Sequence, residues 1–150
     1  MEFTVFPESL QKILSHAGRV LPSRSILPVL SMFHLVAGGG LVRVEATDLE
    51  IGAGFLVGAN IEIDGECAVP ARTLIDWVST TSSGVEIQFS YNSEKVLLNL
   101  KQGRSKAEIK CIDPQEFPLL KLDKPEKAIT FSTDTLRRVV KEVAISVSAD

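Results

Sequence analysis

The chain has 150 residues, 45% of them hydrophobic, and a net charge of −3. That is the composition of a soluble globular protein with one proper core and a little more, and no apolar run approaches the ~20 residues a membrane helix needs. The start, Met1-Glu2-Phe3-Thr4, lacks the basic and apolar stretches of a secretory signal, so a cytoplasmic location is expected. Taken alone, the negative balance speaks against a non-specific nucleic-acid binder, which ordinarily carries a basic excess.

Phe3 to Phe6 reads as a short strand ending at Pro7. Pro7-Glu8-Ser9 then opens a helix, with proline and an acid in the first turn where both are favoured. Leu10, Ile13, Leu14 and Ala17 follow at helical spacing, predicting one buried face that fades near Gly18 to Leu21. After the loop Pro22-Ser23-Arg24-Ser25 come strand-like stretches at Leu30 to Ala37, Leu41 to Ala46, Glu50 to Val57 and Ile61 to Val69, with turns at Gly38-Gly39-Gly40 and Thr47-Asp48. The last of these stretches holds the cleanest alternation in the chain, Ile61, Ile63 and Gly65 against Glu62, Asp64 and Glu66.

Pro70-Ala71-Arg72 opens a second helix with Leu74, Ile75 and Val78 as its stripe, broken at Ser82-Ser83-Gly84. Three more strands are expected at Val85 to Phe89, Lys95 to Leu100 and Ser105 to Cys111, joined by turns at Asn92-Ser93 and Gln102-Gly103. Residues 112 to 127 hold three prolines and several charges and read as a closing loop and linker.

Phe3-Thr4-Val5-Phe6-Pro7-Glu8-Ser9-Leu10-Gln11-Lys12-Ile13-Leu14 lies over Ile129-Thr130-Phe131-Ser132-Thr133-Asp134-Thr135-Leu136-Arg137-Arg138-Val139-Val140 without a gap, class matching class at most positions. Both read strand, helix start with an early acid, then leucine and aliphatics. This predicts a first domain over 1–122, a linker over 123–127, and over 128–150 the first strand and helix of a second domain of the same kind, with the helix running to about Val147. Such a helix cannot bury its stripe by itself, so the chain is expected to be a piece of a longer protein. A fainter half-period echo, Ala68-Val69-Pro70 followed by Leu74 and Val78, suggests that each domain is two copies of strand–helix–strand–strand–strand.

Chemistry-bearing motifs are scarce. Cys67 and Cys111 share no metal-type spacing and read as inert thiols, and His16 and His34 read as ordinary surface or strand histidines. There is no GxSxG, Walker loop or HExxH, and Gly38-Gly39-Gly40 lacks the lysine and helix a phosphate cradle needs. Asp48 and Glu50 have no nucleophile or histidine beside them. Neither an enzyme nor a bound cofactor or metal is expected.

The charges are unevenly placed. Between Val29 and Val69 stand six acids (Glu45, Asp48, Glu50, Glu62, Asp64, Glu66) and a single base, Arg43. The helical segments instead carry Lys12, Arg19, Arg72, Arg137, Arg138 and Lys141 against Glu8, Asp76, Asp134 and Glu142. Either these are ordinary solvated faces, or the helices face one anionic partner while acidic sheets face solvent. Duplex DNA would suit, because bases spread over helix surfaces contact phosphates without reading sequence.

The segments Met1 to Val5, Ser23-Arg24 through Leu27-Pro28-Val29-Leu30, Ala46-Thr47-Asp48-Leu49-Glu50, Val69-Pro70-Ala71-Arg72, Gly103-Arg104-Ser105-Lys106 and Glu116-Phe117-Pro118 occur in order and at suitable intervals. Together they resemble the β subunit of bacterial DNA polymerase III, the sliding clamp. The resemblance implies an α+β DNA-clamp (processivity) fold with helices on one face of antiparallel sheets and three similar domains per chain. Two chains would close head-to-tail into a ring around duplex DNA, tethering the polymerase without catalysis. It implies DNA contacts at Arg24, Arg72 and Arg138; Lys12 and Arg19 are suggested by charge alone. The family's contact at the end of the third helix falls near Asp150, whose carboxylate would repel phosphate. The subunit contact would use Thr73 and Trp77 with the edge strand carrying Arg104, Lys106, Glu108 and Ile109, unless Trp77 fills the local core instead. DNA polymerase III and the clamp loader would dock on regions this chain lacks, in a cytoplasmic, nucleoid-associated setting. The competing reading is a non-catalytic α+β protein-interaction module that never meets DNA.

Overall fold

The computed structural model describes residues 1–22, 27–118 and 129–147. The chain divides into two units, residues 1–120 and 121–150, each described by itself.

The first unit opens with strand β1 (Glu2–Val5) and helix α1 (Pro7–Ala17). Pro7 occupies the first helical turn, and Pro7, Leu10, Leu14 and Ala17 form the single buried face that their spacing demands. A 3₁₀ turn at Pro28–Ser31 leads into the strands β2 (Met32–Gly38), β3 (Leu41–Thr47), β4 (Gly52–Gly58), β5 (Asn60–Ile63) and β6 (Gly65–Pro70). Helix α2 (Ala71–Ser79) follows, then β7 (Ile87–Asn92), β8 (Leu97–Gln102) and β9 (Ser105–Lys110), and a 3₁₀ turn at Pro114–Glu116.

The strands form two sheets in the orders β5-β1-β7-β8-β9 and β4-β3-β2-β6. Every pairing is antiparallel, and the pairing exposes the half-period repeat. The meander β7-β8-β9 takes β1 as its fourth strand, while the meander β2-β3-β4 takes β6. Each half of the unit thus lends its first strand to the other half's sheet. The added strand β5 on β1 has a counterpart on β6, the bridge between Ala68 and Ile112. Neither half could close its sheet alone. Between the halves lies one core, with Phe3, Leu14, Phe33, Leu35, Leu74, Ile87, Phe89 and Leu98 all but sealed from solvent.

Several expectations are corrected. The single strand expected over Ile61 to Val69 is two strands in different sheets, broken at Asp64 just before Gly65, whose φ of +153° a side chain would strain and whose missing Cβ would stand 3.0 Å from Met1 Cβ. Alternation persists on both sides of the break, so periodicity could not reveal it. The strand expected from Glu50 starts at Gly52, because Asp48 Oδ1 accepts the backbone N–H groups of Glu50 and Ile51 in a tight turn with Leu49 at φ +79°. The strands expected from Val85 and Lys95 start two residues later, at Ile87 and Leu97.

In the second unit, Ser132 caps helix α3 (Thr133–Val143) by accepting the Thr135 N–H. The helix gives way to a 3₁₀ turn at Ala144–Ser146 rather than running to Val147. Ile129 to Phe131, expected as a strand, joins no ladder among the described residues: a strand needs a neighbour to pair with. Leu136, Val139, Val140 and Val143 form an exposed apolar stripe along α3.

Candidate nucleic-acid interface

Helices α1 and α2 lie side by side. Gln11 Nε2 donates to the Val78 carbonyl at 2.9 Å, and a Cβ on Gly18 would stand 3.2 Å from Ile75 Cδ1, so glycine permits the close approach at the end of α1. Leu10, Leu14, Leu74 and Val78 turn inward, which leaves Lys12, Arg19 and Arg72 exposed. None of these three bases takes part in an ion pair among the described residues. Glu8, the acid of the first turn, is occupied by the Gly84 N–H at 2.6 Å. Its pKa is held below the ordinary glutamate value by backbone hydrogen bonds, its own first and that of Gly84 second. Asp76 is the exposed acid of α2.

Arg72 stands at the second position of α2, a helix with no acid in its first turn. The partial positive charge at a helix N-terminus disfavours a base there, so Arg72 is costly to the helix and suited to an anion from outside. Arg72 lines a cleft with Gly18, Leu21, Pro22, Ser31 and Ile75. Arg24 and Asp150 lie outside the described residues. Arg138, in the second unit, is exposed on α3, with Nε 4.0 Å from Glu142 Oε1.

The residues expected at the subunit contact differ in their exposure. Strand β9 is an edge of the five-stranded sheet; Lys106 and Glu108 are exposed along it and Arg104 in the turn just before it. Ile109 keeps its side chain in the core, so only its backbone faces outward at the edge. Thr73 is exposed, and Trp77 is half-buried, packed against the core on one side. Gln102, which sequence reasoning passed over, ties this region together. Its Nε2 donates to the carbonyls of Ser82 (2.8 Å) and Val85 (2.7 Å), and its Oε1 accepts the Ser82 N–H at 2.8 Å. The turn carrying Arg104 is thereby fixed to the loop after α2. Gln102→Leu would remove three part-buried hydrogen bonds and should destabilise the first unit by about 1–3 kcal/mol, read from urea unfolding.

The charge map also changes. The acid-rich stretch is the four-stranded sheet plus β5, and its one base, Arg43, is spent on Glu45 at 3.0 Å. The five-stranded sheet is not acidic at its β9 edge: Lys101 pairs across from Lys106, with Arg104 and Lys110 nearby.

His34 is not an ordinary strand histidine. It is almost fully buried, with Nδ1 2.8 Å from Glu45 Oε2 and Nε2 3.1 Å from Glu66 Oε2. Glu45 titrates below the ordinary glutamate range, chiefly through the His34 hydrogen bond, with burial opposing and Arg43 adding. A carboxylate with a depressed folded-state pKa contributes stability above its unfolded value of ~4.3 and loses it as pH falls through the folded value. Glu45→Gln should therefore be less stable than the parent at about pH 7, with the gap closing toward about pH 3 in paired urea titrations.

A family model described as the DNA polymerase III beta subunit, N-terminal domain, matches residues 1–121. The chain belongs to the DNA polymerase III beta subunit family. Relatives share modest identity over the whole length of the chain: the beta sliding clamp of Caulobacter vibrioides is 28% identical over 153 residues, taking in 100% of the chain and 40% of the relative. That of Pseudomonas aeruginosa is 30% identical, over 99% of the chain and 40% of the relative. The solved Caulobacter crescentus polymerase III beta structure superposes with a TM-score of 0.92 at 27% identity, covering 100% of this chain and 40% of that one. The chain thus spans about 40% of the length of the relatives it matches. The α+β clamp fold, with its antiparallel sheets, is the beta-subunit fold.

Proposed function

We propose that this chain supplies the first domain of a sliding clamp, a ring that encloses duplex DNA without reading its sequence and holds the replicative polymerase to it. The observation that carries the reading is the α1–α2 face: Lys12, Arg19 and Arg72 are exposed and outside every ion pair among the described residues, while Arg43 on the acidic sheet is neutralised by Glu45. A surface of unspent bases suits phosphates, and a closed ring needs only such weak, sequence-blind contacts in order to slide.

In this reading Arg24, Arg72 and Arg138 face the DNA. The edge strand β9 with Thr73 and Trp77 meets a second clamp chain, head to tail. DNA polymerase III and the clamp loader act through parts of the protein outside these residues, in the cytoplasm alongside the chromosome.

The protein at its full encoded length, loaded on nicked circular DNA, should stay bound through a high-salt wash and be lost when the circle is linearised. Equal retention on circles and linear DNA would leave a simple binder, and no retention on either would leave a protein-interaction module. Trp77→Ala combined with Arg104→Glu should shift the ring toward single chains in sedimentation.

A further inference from the structure

Strand β2 runs inside the four-stranded sheet, and His34 lies on the face opposite the core residues Phe33 and Leu35. A side chain on that face would ordinarily meet solvent. His34 is nevertheless 1% exposed, because Phe117 lies over it with ring centroids 5.1 Å apart and planes 26° from parallel. Phe117 is itself buried, and it closes the 3₁₀ turn Pro114–Glu116 at the end of the described part of the first unit.

The imidazole edges are closed by Glu45 from β3 and Glu66 from β6. Among the described residues the next charged group is Arg43 of β3, which pairs with Glu45. The overlying turn brings only the Phe117 ring; its acids Asp113 and Glu116 are exposed, and Asp113 is engaged with the Gln115 N–H. A neutral imidazole has one N–H and one lone pair, so between two carboxylates it satisfies one and opposes the other. Only the doubly protonated ring completes both hydrogen bonds, and with Arg43 it balances the two carboxylates charge for charge.

We propose that His34, Glu45 and Glu66 form a proton-dependent seat for Phe117, a positioning device that fixes where the chain leaves the first unit and loosens when the ring gives up its second proton. The seat belongs to the four-stranded sheet and stands whether or not the α1–α2 face binds DNA.

An NMR pH titration of the whole chain tests this directly. The His34 ¹³Cε1 shift reports the ring's charge. The Glu116 and Phe117 amides, bonded to the Asp113 and Pro114 carbonyls at 3.0 Å each, report the turn. As the ring loses its charge, hydrogen-exchange protection at these amides should fall about tenfold, the size of one lost charge-assisted hydrogen bond. Val44 in β3 should stay protected throughout. In Glu66→Gln the amide can donate to the lone pair of the neutral ring, so protection should persist through the same titration. A ring that is never doubly protonated in the folded protein, or one whose charge changes with no response at Phe117, would overturn the proposal. Should the variant fail to fold, the parent's titration alone decides.

Discussion

Phe89→Ala is expected to remove about 3–5 kcal/mol from the stability of the first unit, the range for deleting a large buried aromatic side chain. Phe89 is 2% exposed and stacks on Phe3, its direct cross-strand partner, with centroids 4.5 Å apart and planes 12° from parallel. The deletion forfeits transfer free energy, leaves a cavity, and loses a stack worth about 0.5–1.5 kcal/mol. Its position matters as much as its size. Phe3 belongs to β1 and Phe89 to β7, the pairing by which the first half of the repeat completes the sheet of the second. Urea unfolding should show a lowered midpoint at unchanged slope, since the unit still unfolds as one. Leu56→Ala, on an exposed edge-strand side chain, should move stability by no more than about 0.5 kcal/mol. A loss below about 1 kcal/mol for Phe89→Ala would mean that β1 and β7 do not hold the halves together as described.

The helices of the first unit were legible because their signals are local. Pro7 and Pro70 mark the starts, and Leu10, Leu14, Ala17 and Leu74, Val78 fall on one face. The half-period repeat was legible as order but not as pairing: nothing in Val69-Pro70 says that its strand joins the other half's meander. For the same reason the break just before Gly65 was invisible, since alternation reports a half-buried strand but not which sheet it belongs to. Ile129 to Phe131 has strand composition without a ladder partner, and composition alone makes no strand.

The functional residues divide along the same line. Arg72 is marked in the sequence by the family resemblance and the basic bias of the helical segments, and its place in the first turn of α2, where a base breaks a local rule, adds a physical reason. Ile109 is assigned to the subunit contact by resemblance, which carries a position but not the direction of a side chain; positions alternate along β9, and this side chain falls on the inward set. His34 escaped because its two carboxylates come from strands eleven and thirty-two residues away in sequence, brought together only by the register of β2 with β3 and β6. The basic β9 edge was hidden by counting charge along the chain instead of around each sheet.

Replacing Lys12, Arg19 and Arg72 together with alanine should have the largest functional effect. Each phosphate contact releases condensed counterions, so the slope of log affinity against log salt should become shallower by about 0.9 for every base that touches duplex DNA, close to three for the triple variant if all do. The loss should be the same on unrelated sequences, because phosphate contacts position a protein without specifying bases. Arg43→Ala removes one positive charge from the acidic sheet, where Glu45 already neutralises it, and should leave the slope unchanged, whereas Arg72→Ala alone should make it shallower by about 0.9. The comparison of these two single substitutions separates placement from net charge: each makes an acidic protein more acidic by one charge, and only the one on the α1–α2 face should weaken binding. An equal response to Arg43→Ala would mean that the chain feels DNA through its overall field, and the helical face would lose its claim to the duplex.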